Sequence, residues 1–598
     1  MRFRNRYLPS KRVLLEERRK RIIRRIKRIP FWLTFLAVLT IIVDFGFDQS
    51  SAVQQGLNWV YVATLITGIF SLTGRYFITR DRPRRKVWGF DGLLIIFLVA
   101  ILFNFFGWIA WSFLDYLFWL YVVILLVFLR EFSALNVDFK KEYLNPAQLF
   151  IISFLAIILM GTVLLMLPNA THQGIFIIDA LFTSTSAVCV TGLVVVDTGT
   201  YFTQFGQIVI AILIQLGGLG IMTFTSYFSY FFRGGATYET QLILKDLTST
   251  EKIADVFNTL KKILLLTMTI EAVGAVLIYN SLDENIIPLM TDRIFFAFFH
   301  TISGFCNAGF STLSNSLYEP GFRFNYSLHL IIAALFVIGG IGFPILFNFY
   351  KYLRHLILNR WLPVSRKKPV VHIPWVININ TRIVLITTLV LIVFGTLFFY
   401  LLEYNNTLAE HHSYGKIVTA FFGAVTPRTA GFNSVDTSGL NLLTIMMILL
   451  LMWVGASPGS TGGGIKTSTF AIATLNFISL SRGKDRLELF RREVADISIR
   501  RAFAIVSLSL VVIGTSVFLI TFFDRDMDLL QVVFECISAY STVGLSVGIT
   551  GELSNMSKLI IILTMFIGRV SMLTILIAVF RQVKHLKYRY PTEEILIN

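Results

Sequence analysis

The stretch Thr183-Ser-Thr-Ser-Ala-Val-Cys-Val-Thr-Gly192 is semi-polar, ends in glycine and separates two long apolar segments. The same arrangement recurs three times, with stretches that end in Asn307-Ala308-Gly309, Thr429-Ala430-Gly431 and Thr542-Val543-Gly544. The successive glycines are separated by 117, 122 and 113 residues. A period this constant is the signature of an internal repeat. It predicts four units of helix, re-entrant segment and helix (M1–P–M2) in a pseudo-fourfold arrangement around one pore.

Composition places these units in a membrane. The chain has 598 residues, of which 55% are hydrophobic and 15% are charged, whereas soluble proteins carry about a quarter charged residues. The apolar residues form runs of roughly 18 or more, long enough to cross a bilayer as helix. We therefore predict an all-α integral membrane protein with about four additional transmembrane helices before the repeats. No nucleophile, metal cluster or cofactor motif indicates an enzyme.

The net charge of +18 has a membrane explanation. Lys and Arg crowd into a few segments, whereas the loops 48–56 and 169–174 carry none. Because basic residues collect in cytoplasmic loops, this pattern predicts a multi-pass protein with both termini cytoplasmic. It favours contact with the lipid membrane and argues against nucleic acid as a partner. The basic segments are 2–28, 75–86, 140–141, 351–368 and 482–501.

The glycine stretches are too short and too polar to span the membrane. Non-helical backbone at membrane depth must be buried in protein or line a wet cavity. Four such loops in a ring can replace the hydration shell of a cation with carbonyl oxygens. Ordinary extracellular loops with incidental glycines are the alternative. The predicted ion-binding residues are Val190, Thr191, Gly192, Asn307, Ala308, Gly309, Thr429, Ala430, Gly431, Thr542, Val543 and Gly544.

These motifs resemble those of KtrB/TrkH-type potassium transporters of the Trk/Ktr/HKT superfamily, and of KtrB most closely. The resemblance runs from about Asn145 to the C-terminus. It includes Gln204-Phe-Gly-Gln207, Gln215-Leu-Gly-Gly-Leu-Gly220, Thr426-Pro-Arg-Thr-Ala-Gly-Phe-Asn433 and Ser541-Thr-Val-Gly-Leu-Ser546.

The resemblance implies K+ as the transported ion, bound around the four glycines of a selectivity filter, with no covalent cofactor and with Na+ as a possible activator. Relatives that prefer sodium carry serine in place of the first glycine. The resemblance also implies a homodimer in the cell inner membrane and a separate cytoplasmic nucleotide-binding RCK ring similar to KtrA or TrkA.

The third repeat has an interrupted second helix. The segment 457–468 reads Ser457-Pro458-Gly459-Ser-Thr-Gly462-Gly463-Gly464-Ile-Lys466-Thr-Ser468, and proline and glycine break helices. Ile465 separates Gly464 from Lys466, so the phosphate-loop pattern GxxxxGK is broken. A plain kink remains an alternative. The resemblance implies an intramembrane gating loop at this position.

Arg569 lies in the last apolar helix, where insertion of an arginine costs about 2.5–3.5 kcal/mol, so it should face a cavity or a partner. The resemblance makes it an electrostatic barrier below the filter that acts with Lys466, and snorkelling to the interface is the alternative.

The sequence predicts potassium uptake by a channel-like subunit. A Na+- or H+-coupled symporter and the pore subunit of an ATP-driven pump are the alternatives. A voltage sensor would need regularly spaced arginines in the fourth helix, and the segment 113–129 contains none. The predicted parts are a basic cytoplasmic N-terminus (1–30), an N-terminal membrane region (31–135), pore repeats at 145–235, 255–355, 380–485 and 500–586, and a cytoplasmic tail (587–598).

Overall fold

A computed structural model of the chain describes residues 29–78, 85–108, 117–134, 146–220, 256–361, 378–484, 486–572 and 575–576. The predicted cytoplasmic tail, nearly all of the basic N-terminus and much of the predicted basic loops lie outside these residues. Within them the protein is helical apart from a two-residue antiparallel pair, β1 (Glu488–Leu489) and β2 (Arg492–Glu493). The all-α fold class is confirmed.

Four apolar helices precede the repeats and pack around Tyr61, Leu98 and Val123. Three charged groups among the described side chains have partners within the bundle. The hydroxyls of Tyr61 and Tyr121 donate to Oδ2 of Asp44 at 2.9 and 2.7 Å. The Arg130 guanidinium binds both carboxylate oxygens of Asp91 at 2.7 and 2.8 Å. Such pairing lets polar groups lie in an apolar setting. The four helices are α1 (Ile29–Gly46), α2 (Ser51–Ile78), α3 (Arg85–Phe105) and α4 (Leu117–Ala134).

Each repeat consists of a first helix, a short pore helix and a second helix. Repeat 1 comprises α5 (Pro146–Leu165), α6 (Ile177–Cys189) and α7 (Gln204–Gly218). Repeat 2 comprises α8 (Val256–Ser281), α9 (Met290–Phe305), α10 (Tyr326–Ile341) and α11 (Phe343–Trp361). Repeat 3 comprises α12 (Ile379–Glu403), α13 (Ser413–Val425), α14 (Leu442–Trp453) and α15 (Thr467–Ser481). Repeat 4 comprises α16 (Asp496–Phe523), α17 (Leu529–Ser541) and α18 (Asn555–Val570).

The second helix is divided in repeats 2 and 3. Helices α10 and α11 meet at an angle of 99° around Gly342, whose φ of +92° suits a residue without a side chain. Helices α14 and α15 are separated by the glycine-rich segment that begins after Trp453. Of about twelve spans that the apolar runs suggest, six single helices in the described parts are long and apolar enough to cross a membrane, or seven if the bent pair is one span.

The repeats close into a ring. The second helix of each repeat packs against the pore helix of the next: α7 on α9, α10 on α13, α14 on α17, and α18 back on α6. The last of these contacts includes an ion pair of 2.7 Å between Lys558 and Asp179. The pore helices are therefore enclosed, and side chains such as Phe182, Phe299 and Phe534 are buried. This arrangement confirms the predicted pseudo-fourfold fold.

Candidate functional site

The four glycines identified in the sequence all have left-handed backbone. Their φ angles are +91° at Gly192, +71° at Gly309, +78° at Gly431 and +90° at Gly544. L-amino acids with a side chain rarely adopt this conformation. Glycine is therefore the residue that adopts the backbone at these four equivalent positions with least strain.

A second left-handed residue lies two positions before each glycine. These residues carry side chains: Val190 (φ +57°), Asn307 (+62°), Thr429 (+73°) and Thr542 (+50°). Positive φ is unusual for a β-branched residue and costs about 1–3 kcal/mol. The surrounding structure must hold these residues in place, and backbone strain of this kind concentrates at functional sites. The residue types do not predict this feature, because asparagine alone among the four favours the conformation.

Hydrogen bonds at the ends of three pore helices reverse the chain. The amide of the residue before the glycine donates to the carbonyl five residues earlier, from Thr191 to Ser186 (2.8 Å), from Ala308 to Ser303 (2.7 Å) and from Val543 to Ser538 (2.9 Å). With a left-handed residue at the preceding position, this is the Schellman arrangement that ends many helices. In repeat 3, Ala430 donates to Thr426 at 2.9 Å instead. In each repeat the chain thus leaves the pore helix as a short non-helical segment that contains the glycine.

These four non-helical segments meet around one axis. A methyl group built on any of the four glycines would lie within 3.4 Å of the Cα atom of the next glycine, in the order Gly192, Gly309, Gly431, Gly544 and back to Gly192. Each such methyl group would also overlap a backbone carbonyl of the next repeat. These carbonyls belong to Ala308, Ala430, Val543 and Thr191, respectively. The four glycines and the residues that precede them therefore come together in one closed ring of backbone, and the four left-handed residues adjoin it in sequence.

A further set of glycines supports the ring, and sequence reasoning missed it. In repeats 1, 2 and 4 the second helix carries a glycine whose missing side chain leaves room for the carbonyl oxygen at the end of its own pore helix. Each of these carbonyls belongs to the residue four before the filter glycine. The signal was available, since the glycines occur at similar distances along each repeat. The pairs are Gly217 with Val188, Gly339 with Phe305, and Gly568 with Tyr540.

In repeat 3 the segment 454–466 lies directly against the ring. Thr461 Oγ1 donates toward Oδ1 of Asn307 at 3.0 Å and lies 3.3 Å from the Phe305 carbonyl. A methyl group on Gly462 would overlap Oγ1 of Thr429, and one on Gly463 would lie 2.9 Å from Cγ2 of Thr542. The segment thus contacts side chains at the base of the ring from repeats 2, 3 and 4.

Two basic residues hold this segment. Nζ of Lys466 donates to the carbonyl of Gly462 at 2.6 Å and lies 3.5 Å from that of Gly463. Arg569, on α18, donates through its two terminal nitrogens to the carbonyls of Thr461 and of Gly217. The guanidinium therefore joins the segment to the second helix of repeat 1. Arg569 faces these carbonyls and does not extend to an interface, so the snorkelling interpretation does not describe its contacts.

The remaining residues of the predicted gate lie to one side of the ring. The amide of Ser457 donates to the carbonyl of Gly340 at 3.0 Å, and the amide of Phe343 donates to the carbonyl of Gly459 at 3.1 Å. The carbonyl of Pro458 lies against Gly342. These contacts attach the start of the segment to the break between α10 and α11. The sequence did not predict that the two interrupted helices meet.

Comparison with known proteins identifies a matching family model and similar proteins. The family model "TrkH: Cation transport protein" matches residues 113–587. Among similar proteins, Ktr system potassium uptake protein B of Bacillus subtilis is 37% identical over 455 residues, covering 75% of this chain and 96% of its own length. The potassium/sodium uptake protein NtpJ of Enterococcus hirae is 33% identical, covering 76% of this chain and 98% of its own.

Among solved structures, the crystal structure of the potassium transporter TrkH from Vibrio parahaemolyticus superposes with a TM-score of 0.57 at 16% identity. It covers 87% of this chain and 97% of that protein. This likeness concerns the fold.

Proposed function

This chain belongs to the TrkH family of cation transport proteins, and from that premise we propose that it takes up potassium by conducting K+ through the ring at Gly192, Gly309, Gly431 and Gly544. The observation that carries the proposal is the closure of the four left-handed glycines into one ring with a carbonyl of the next repeat against each. Relatives named as potassium uptake proteins, at up to 37% identity over most of their length, support the choice of ion. We propose that the protein is a transporter and has no enzyme activity.

The chemistry of the ring suits a cation. Rings of backbone carbonyls select ions by replacing their hydration shell. The pore helices end at the base of the ring, where the negative ends of their dipoles favour positive charge. Side chains at the base add oxygen atoms, including the hydroxyls of Thr429 and Thr542. The residues proposed to bind K+ are the twelve filter residues given above.

We propose that the segment 457–468 gates this path. The segment contacts the base of the ring, and its glycines allow approach that larger residues would prevent. Lys466 and Arg569 add positive charge at the same level, which opposes passage of a cation while the segment is in place. Movement of the segment away from Asn307, Thr429 and Thr542 would open the path.

The remaining features follow the family pattern as proposals. We propose that the protein lies in the cell inner membrane with both termini cytoplasmic, and that it forms a homodimer. The name "Ktr system" implies more than one component in the relatives, which supports a separate cytoplasmic RCK ring as partner. The name of NtpJ includes sodium, which supports Na+ as an activator or a second permeant ion.

The test is rubidium uptake and growth at low potassium in cells that lack their own potassium uptake, with Gly192→Ser beside wild type. Wild type should restore growth, and the variant should lose its preference for K+ over Na+, because the added Cβ overlaps the Ala308 carbonyl. Gly174→Ser is the control: Gly174 has a similar φ of +77° but open space around it. It should keep wild-type selectivity.

Failure of wild type to restore uptake at normal membrane abundance, with or without a co-expressed RCK ring, would contradict the proposed function. Restored uptake with unchanged selectivity in Gly192→Ser would contradict the assignment of the filter.

A further inference from the structure

Two pore helices carry an ionisable residue at the same place. The position nine residues before the filter glycine is Thr183 in repeat 1, His300 in repeat 2, Phe422 in repeat 3 and Glu535 in repeat 4. His300 and Glu535 are fully buried, with exposed fractions of 0% and 1%. Burying an ionisable group is costly unless it is hydrogen-bonded, so the partners of these two residues indicate their role.

In repeat 2, His300 binds the strand that leaves the filter. Nδ1 donates to the carbonyl of Phe296, 2.9 Å away on the same helix, which leaves Nε2 of the neutral ring as an acceptor. The hydroxyl of Ser311, two residues after the filter glycine, lies 2.9 Å from Nε2 and donates to it. The same hydroxyl oxygen accepts from the amide of Leu313 at 3.0 Å.

In repeat 4, Glu535 takes the place of His300 as the hydrogen-bond acceptor. The hydroxyl of Ser546, again two residues after the filter glycine, donates to Oε1 of Glu535. Thr550 Oγ1 lies 3.1 Å from the same carboxylate oxygen. The Ser546 hydroxyl oxygen accepts from the amide of Gly548 at 2.9 Å. Serine, acceptor and amide therefore have the same order and spacing as in repeat 2.

Repeats 1 and 3 have other residues at these positions. Thr183 donates to the carbonyl of Asp179 in its own helix at 2.9 Å, and Phe422 has no polar side-chain atom. The residues two after the glycine are Val194 and Asn433, so neither repeat has the serine. Because the ring runs in the order 1, 2, 3, 4, the two repeats with the contact face each other across the axis.

We propose that His300 and Glu535 are positioning residues that fix the outer end of the filter through Ser311 and Ser546, and thereby set the preference for potassium over sodium. The inference rests on the proposed function. Neither residue needs to touch the ion. A carbonyl ring discriminates between cations only while its oxygens keep their spacing, and a buried side chain held on a helix supplies the necessary support. Two supports on opposite sides hold the ring across its diameter.

The experiment compares Ser311→Ala, Ser546→Ala and the double variant with wild type, using rubidium uptake at increasing sodium. Val194→Ala is the matched control, since it shortens the side chain at the same position of repeat 1. Glu535→Leu removes the acceptor and Glu535→Gln retains a carbonyl acceptor for Ser546. Each variant is compared at equal membrane abundance, and KM, maximal rate and inhibition by sodium are measured separately.

Each serine variant should lose about fivefold in preference for rubidium over sodium, the effect of losing one typical hydrogen bond. The double variant should lose more than either single variant. Glu535→Leu should match Ser546→Ala, whereas Glu535→Gln and Val194→Ala should resemble wild type.

Wild-type selectivity in both serine variants, or an equal loss in Val194→Ala, would overturn the inference while leaving the proposed function intact. Absence of uptake by wild type would instead overturn the proposed function. If a serine variant does not reach the membrane, Ser546→Thr and Glu535→Gln take its place. Ser546→Thr keeps the hydroxyl and Glu535→Gln keeps the acceptor, so both must retain selectivity.

Discussion

At the scale of single residues, Arg569 has the largest predicted effect on transport. Its guanidinium joins Thr461, in the proposed gate, to Gly217 of repeat 1. We expect Arg569→Ala to raise the maximal rate of rubidium uptake by about tenfold or more, because a hydrogen bond from a charged group contributes roughly 1.5–3 kcal/mol to the position of the segment and about 1.4 kcal/mol corresponds to tenfold. The KM for rubidium should change little, since the ring itself is unaltered.

Arg569→Lys separates the charge of this residue from its geometry. Lysine keeps the positive charge, but a single ammonium group cannot reproduce the planar fork that reaches two carbonyls. An intermediate rate is expected. A rate in Arg569→Ala equal to or below wild type, at equal membrane abundance, would argue against a restraining role.

Single residues also mark the limit of what the sequence revealed about the site. Gly192 and its three counterparts were predicted because their spacing is nearly constant and glycine has a distinctive backbone. Val190 was expected in the filter, but its left-handed backbone was not, since a β-branched residue normally signals extended structure. A lone histidine such as His300 indicates, from sequence alone, no more than a packing or hydrogen-bonding residue. Its counterpart Glu535 is a different residue type, so comparison of repeats by identity could not pair them.

At the scale of elements, the glycine-rich segment of repeat 3 depends on close packing under the ring. Gly463→Ala would place a methyl group 2.9 Å from Cγ2 of Thr542. Overpacking of this kind costs about 1–3 kcal/mol, which should favour the displaced position of the segment. We expect faster rubidium uptake, with a change in KM that is smaller than the change in rate.

The control for this change is Gly514→Ala in the middle of α16, where a methyl group meets nothing within 4 Å. Alanine favours helix there by about 1 kcal/mol over glycine, so uptake should equal that of wild type. Slower uptake in Gly463→Ala with normal abundance would indicate that the segment is needed in its present position during conduction.

The sequence predicted the helices more completely than the breaks within them and the contacts between them. The apolar runs located the first and second helices, because helices that cross a membrane need long uninterrupted segments. The 99° bend at Gly342 was missed, although Gly342-Phe343-Pro344 is a plausible breaking signal. The contact between this bend and Ser457–Gly459 joins two repeats distant in sequence. Nothing in the local sequence of either segment specifies that contact.

At the scale of the whole molecule, the N-terminal bundle packs on the outside of repeat 1. Phe45 stacks on Phe205 at 5.8 Å, Gly46 packs on Leu167, and Asn169 donates to Asp48 at 3.3 Å. A chain that begins at Asn145 should therefore keep selective potassium uptake, with lower membrane abundance because the packing of Phe45 on Phe205 and the hydrogen bond between Asn169 and Asp48 are lost.

The relatives support this expectation, since they align over 94–98% of their own lengths and over 75–76% of this chain. Rubidium uptake is measured per unit of protein in the membrane. Loss of potassium selectivity in the shortened chain, at measurable abundance, would assign the bundle a direct part in conduction.

Asn307 lies in the ring and contacts the proposed gate. Its backbone belongs to the proposed filter of repeat 2, its side-chain amide donates to Thr429 at 3.3 Å, and its side-chain oxygen accepts from Thr461 at 3.0 Å. Because the segment is hydrogen-bonded to a residue of the proposed binding site, its position and ion binding are thermodynamically linked. If movement of the segment changes the ion affinity by some factor, binding of the ion changes the equilibrium of the segment by the same factor. We expect potassium bound in the proposed filter to shift the equilibrium of the proposed gate, and sodium, bound with a different affinity, to shift it by a different amount.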